Sequence, residues 1–141
     1  MRCNAVFDTN VLVAALLSPY EDSATVQLVK SMFFGEIVPV YSREIMDEYK
    51  NVLYREKFKF DPLKISYILS WIENVGIMTV SFNSGIVLPD PKDLPFYEAI
   101  CGNRENQIYL VTGNLKHFPK DQYIISAREM LDILRRKFTD H

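Results

Sequence analysis

The chain has 141 residues, 48% hydrophobic and 24% charged, with a formal net charge of −2. That length is enough for one core of ordinary size. The small acidic excess argues against a protein that holds nucleic acid by bulk positive charge, unless several acids gather around a metal. A single domain over residues 1–141 is expected. No basic-then-apolar leader opens the chain and no apolar run approaches about 18 residues, so a cytoplasmic protein without membrane contact is expected. The two cysteines, Cys3 and Cys101, make neither a metal-type pair nor a disulfide framework, and both read as buried thiols.

In chain order, a first apolar run from Cys3 to Phe7 stops at Asp8 and gives way to helical periodicity from Asn10 to Leu17. A second helix is expected from Glu21 to Phe34, followed by a strand from Ile37 to Val40 and a helix from Arg43 to Tyr54. Asp61-Pro62 supplies a cap and a first-turn proline for a helix from Pro62 to Asn74. Further strands are expected at Ile77 to Val80, Ile108 to Val111 and Tyr123 to Ile125, with a helix from Leu94 to Cys101 between the first two. The capping box from Ser126 to Glu129 opens a last helix from Ala127 to Lys137. The strands are short and rich in Val, Ile and aromatics, which suits burial on both faces. Strand and helix in alternation imply an α/β domain, a parallel sheet of about five strands covered on both sides.

In an open parallel sheet, reactive groups collect beyond the carboxyl ends of the strands. Asp8 ends the first strand and sits there, although Asp is also a favoured N-cap for the helix that follows. In the helix from Arg43, Glu48 falls beside Ile45 and Val52 on the inward side, whereas Asp47 and Lys50 point outward. Glu44 lies in the first turn, where compensation of the helix dipole explains it. Asp90-Pro91 resembles a cap with a first-turn proline, but Pro95 argues for a later helix start, which leaves Asp93 at or just before the helix. There Asp93 is free to cap or to face the strand edge. The strand ending at Val111 delivers Thr112, Gly113 and Asn114 to the same edge. Gly113 fits a tight turn, and Asn114 fits either a left-handed turn residue or an amide offered to a metal-bound water or phosphate.

Basic residues group in three places, Tyr54 to Phe60, Leu115 to Lys120 and Leu134 to Phe138, each of which reads as a solvated face. His117 and Trp71 read as surface and packing residues. Val26, Leu28, Met32 and Phe33 form an apolar helix surface that suits self-association as a homodimer or the docking of a partner helix.

Four blocks, FDTNVLVAALLS, EIMDEYKNVL, DPKDLPFYEAI and YLVTGNLKHFP, stand in this order over nearly the whole chain. Together they resemble the PIN-domain family, and more narrowly the VapC-like ribonucleases of toxin–antitoxin systems. The resemblance implies a three-layer α/β/α fold. It also implies a cluster of acids that binds Mg2+ or Mn2+ and cleaves single-stranded RNA, and a cognate antitoxin as partner. It matches Asp8, Glu48 and Asp93 to the family's metal-binding acids and Asn10 to the companion of the first. Thr112 and Asp90 are supporting positions. The fourth position, usually Asp, is Asn114, which removes one charge and weakens the case for a second ion. Independently of any family, two or three carboxylates that converge without closing a shell suit an ion that keeps several waters. Two rivals are a non-catalytic PIN module that binds RNA or protein, and a haloacid-dehalogenase-like phosphatase, whose usual second Asp is Asn10 here.

Overall fold

A computed structural model of the chain describes residues 2–80 and 82–139, the last three of these through their backbone alone. Met1, Ser81, Asp140 and His141, included in the expected domain over residues 1–141, lie outside the described residues. Strand β1 (Cys3–Phe7) is apolar at nearly every position because it is the middle strand of the sheet and has no solvent face. Around it the chain forms α1 (Thr9–Leu17), α2 (Ala24–Phe33), β2 (Ile37–Tyr41), α3 (Arg43–Leu53), α4 (Pro62–Val75) and β3 (Ile77–Met78). It continues with α5 (Leu94–Cys101), β4 (Tyr109–Val111), β5 (Ile124–Ile125) and α6 (Ala127–Thr139). The sheet order is β3-β2-β1-β4-β5 and every neighbouring pair is parallel. Helices cover both faces, which gives the expected three-layer α/β/α architecture.

Register follows from side-chain chemistry. Ala5 stands opposite Pro39 on one side and Tyr109 on the other. β3 joins β2 only from Val40 onward, past Pro39, the residue with no N–H to donate. Phe7, Leu28, Ile45, Tyr49, Ile72 and Phe96 are among the fully buried side chains. Fully burying one large apolar side chain contributes about 1.5–3 kcal/mol.

The caps form as the sequence implies. Asp61 Oδ1 accepts the Leu63 N–H at 3.0 Å, and Ser126 and Glu129 exchange reciprocal bonds at 3.1 and 3.2 Å. Most element ends shift by one or two residues, where the last turn frays into a cap. Three expectations need larger correction. The helix expected from Glu21 begins at Ala24, because Tyr20 to Ser23 close a turn and the Glu21 carbonyl accepts the Gln27 side chain at 2.7 Å. The strand expected over Ile77 to Val80 covers only Ile77–Met78. It is a sheet edge, with Ile77 46% and Met78 62% exposed, instead of a strand buried on both faces. Leu28 and Met32 do not belong to a docking surface, since both point into the core, whereas Val26 and Phe33 remain partly open. Of the cysteines, Cys3 is buried and Cys101 half-buried, and no disulfide joins them. Trp71 packs as expected: its ring tilts against Phe33 and its Nε1–H donates to the Met32 carbonyl at 3.4 Å.

One long-range bond fixes the end of β1. The Tyr49 hydroxyl, fully buried on α3, donates to the Phe7 carbonyl at 2.6 Å, while its ring lies 6.1 Å from that of Phe96. Replacement by Phe keeps the ring and strands a buried carbonyl. Tyr49→Phe is therefore expected to lower unfolding free energy by about 1–3 kcal/mol in urea titration, while Tyr20→Phe, at a 68% exposed position, should stay within about 0.5 kcal/mol of the parent.

Candidate functional site

From β1 the chain runs first to β2 and β3 on one side, and the later strands β4 and β5 lie on the other. The crevice between the carboxyl ends of β1 and β4 is the switch point where such folds place ligands. Asp8 occupies it. Its backbone N–H continues the ladder to the Val111 carbonyl at 2.9 Å, and it stands at the N-cap position of α1 with extended dihedrals. Its side chain nevertheless makes no capping bond.

Asp8 Oδ2 instead accepts the Thr112 hydroxyl at 2.8 Å and the Asn10 side-chain amide at 3.3 Å. Both donors are themselves held. Thr112, fully buried just after β4, takes the Asn114 N–H on its Oγ1 at 3.0 Å, and Asn10 Oδ1 takes the Gly113 N–H at 3.2 Å. Two parallel chains of hydrogen bonds thus tie the end of β1 to the turn after β4, and the carboxylate is their common end. Gly113 is not needed for a left-handed turn, because the only positive-φ glycines among the described residues are Gly35 and Gly85. Asn114 has a φ of −123°, so the left-handed reading of that residue is also set aside.

Asp93 arrives from the start of α5. Asp90 caps the preceding 3-10 turn, Pro91–Asp93, by accepting the Lys92 N–H at 3.0 Å. That leaves Asp93 at the N-cap position of α5 without a capping bond. Its Oδ2 lies 3.0 Å from Nδ1 of His117, which sits in the 3-10 turn Leu115–His117 after β4. The reading of His117 as a plain surface residue is corrected by this contact. Nothing local in the sequence announces it, because the partners are 24 residues apart.

The electrostatics join the two aspartates. Burial pushes Asp8 up to about 6; the Thr112 bond offsets part of that, and the negative charge of Asp93 adds to it. Asp93 is also raised, by burial first, with the Asp90 charge adding and the His117 bond opposing. Each carboxylate is thus held short of full comfort as an anion, and each stands to gain from a nearby cation.

Glu48 is half-buried, one residue before Tyr49 at the flank of the inward face of α3, and Glu44 is exposed in the first turn. Tyr49 feels the charge of Asp8, so α3 reaches this end of the sheet. Among the described residues no group of three or more His, Cys, Asp or Glu side chains is close enough to hold an ion. Asp8, Glu48 and Asp93 therefore do not form a ready-made cage. The donor set still fits a hard dication, since Mg2+ is commonly held through one or two carboxylates and keeps several waters. Asp8 and Asp93 are the residues that would hold it. A cleft of about 690 Å³ opens at this edge, bordered by Asn10, Thr25, Thr112, Asn114, His117 and Ser126.

A family model described as PIN domain matches residues 4–116, a span that includes Asp8, Asn10, Glu48, Asp90, Asp93, Thr112 and Asn114. No curated protein and no solved structure matches the chain significantly.

The Asp8 shift has a consequence for stability without added metal. A carboxyl whose folded pKa lies above its unfolded value of 3.8 favours the folded state below that value, and the contribution is lost as pH rises through about 6. In Asp8→Asn this loss is absent. Between pH 4 and pH 8 in chelator, the stability of Asp8→Asn relative to the parent should rise by on the order of 2 kcal/mol, as read by urea unfolding at each pH.

Proposed function

The chain belongs to the PIN-domain family, and from that premise we propose that it is a divalent-metal-dependent endoribonuclease acting on single-stranded RNA. PIN domains are in general nucleases and typically use divalent metal ions. The observation that carries the reading is the pair formed by Asp8 and Asp93, two acids from separate elements raised in pKa at the switch point of a parallel sheet.

Asp8 and Asp93 would hold Mg2+ or Mn2+, with Glu48 on α3 as the candidate third acid. Once bound, the ion supplies a Lewis acid for the phosphodiester and lowers the pKa of a water. The chain's own groups prepare for this. Thr112 and Asn10 both bond Oδ2 of Asp8, which fixes the carboxylate in one orientation and leaves Oδ1 outside those two bonds. His117, which lines the cleft, holds Asp93 through its Nδ1 at 3.0 Å. Asn114, where the family usually carries an acid, brings no charge, so a second ion would be held weakly.

We further propose that the protein is the toxin of a toxin–antitoxin pair working in the cytoplasm. No helix among the described residues is long and apolar enough to cross a membrane. One feature supports the antitoxin part of this reading. An apolar groove of about 280 Å³ between α1, α2 and α4, lined by Leu12, Leu16, Val26, Val29, Phe33 and Tyr67, offers an antitoxin helix a place to bind.

In a fluorescent assay on unstructured RNA, the parent should cleave with Mg2+ or Mn2+ and stop in chelator. Asp8→Asn and Asp93→Asn should each lose on the order of 100-fold or more in kcat with unchanged circular dichroism. Full activity of both variants in chelator would overturn the metal-dependent reading. On α3, Glu48→Gln should lose activity, whereas Glu44→Gln should cost at most a few tenths of a kcal/mol of stability. In calorimetric titration without RNA, Asn114→Asp should tighten Mn2+ binding, and unchanged affinity would place Asn114 outside the coordination sphere.

A further inference from the structure

The sequence carries three basic stretches, and the fold separates them. Lys57 and Lys59 sit between α3 and α4, Arg135 and Arg136 lie on α6, and none of these four lines a cleft at the Asp8 edge. Lys116 does, and Lys120 lines the cleft next to it. Lys116 lines the 690 Å³ cleft beside Asn10, Thr112 and Asn114. Together with Leu115 it also lines a second cleft of about 820 Å³, which continues past Phe118 and Pro119 to Lys120 and Gln122. Leu115 and Lys116 border both, so the two clefts adjoin and make a groove along the 115–122 loop, its near end at Asn10 and Thr112, which bond Asp8.

The charge along this groove is one-sided. Lys116 and Lys120 are exposed, and neither forms an ion pair among the described residues. Asp121, the acid that lines the second cleft, is already paired with Arg104 at 2.7 Å, and that partner holds its carboxyl below the usual range against the opposing effect of burial. Among the described residues the two lysine charges are thus without a counter-charge. Leu115, 43% exposed, stands beside Lys116 and offers an apolar face to a base.

Resting on the ribonuclease reading above, we propose that single-stranded RNA leaves the Asp8–Asp93 edge along this groove, with Lys116 and Lys120 each holding one backbone phosphate. The contacts are to the backbone, so they position the strand without reading its sequence. They act equally on the ground and transition states, which affects KM and leaves kcat alone.

The test separates this proposal from the reading on which it rests. Binding of a labelled oligouridylate of about twelve nucleotides is followed by anisotropy in chelator over a salt series. The double variant Lys116→Ala/Lys120→Ala should bind about tenfold more weakly at low salt and lower the slope of log affinity against log salt by about 1.4. Lys57→Ala should match the parent in both. With Mn2+ present, the double variant should raise KM and keep kcat. If the double variant retains the parent's affinity and salt slope, the groove is overturned while the nuclease reading stands. If the parent neither binds nor cleaves the RNA, the nuclease reading fails and the groove falls with it.

Discussion

A carboxylate buried to 4% exposure at the end of the central strand is the constraint around which this molecule is arranged. Moving an ion of that kind out of water costs several kcal/mol unless bonds and charges offset it. Thr112, Asn10 and the amino end of α1 offset part of the cost. Asp93 opposes them, and the balance leaves Asp8 titrating at about 6 instead of near 4. The incomplete offset is informative. A structural Asp could have capped α1 with its side chain and remained an ordinary anion, whereas this one makes no capping bond and accepts the Thr112 hydroxyl from the end of β4. A dication between Asp8 and Asp93 would relieve both burial and mutual repulsion at once.

The scaffold explains how such a residue can be held. β1 is paired on both sides, and Tyr49 from α3 bonds the Phe7 carbonyl immediately before Asp8. On the other side of the crevice, β4 places Thr112 two hydrogen bonds into the same network. α5 begins only after Asp90 has capped the turn before it, which leaves the Asp93 side chain available to His117. Each candidate side chain is thus set by a backbone feature fixed for other reasons: a strand end, a turn or a helix start.

Much of this could be read from the sequence, because it depends on local pattern. The apolar run that breaks at Asp8, the Asp61-Pro62 cap and the Ser126–Glu129 box each state their geometry within a few residues. Strand alternation with helices implied the parallel sheet, and hence the edge to which Asp8 and Thr112 come. What could not be read depends on distant contacts. His117 meets Asp93 across 24 residues, and the Tyr49 hydroxyl finds Phe7 across 42. Leu28 and Met32 share a helix periodicity with Val26 and Phe33, so only packing against the sheet and neighbouring helices decides which of them is buried. β3 carries the apolar residues of a buried strand but lies at an edge, because sheet order is set by crossovers that periodicity does not encode. The three basic stretches look alike in sequence, and only the cleft geometry distinguishes the one at Lys116.

The most direct measurement is anomalous diffraction from crystals of the protein soaked in manganese at a pH above the Asp8 pKa of about 6. An anomalous peak is expected in the crevice between β1 and β4, coordinated by Asp8 and Asp93 and lost in crystals of Asp8→Asn. Full manganese occupancy elsewhere with no peak in that crevice, or a peak there that survives in Asp8→Asn, would contradict that expectation.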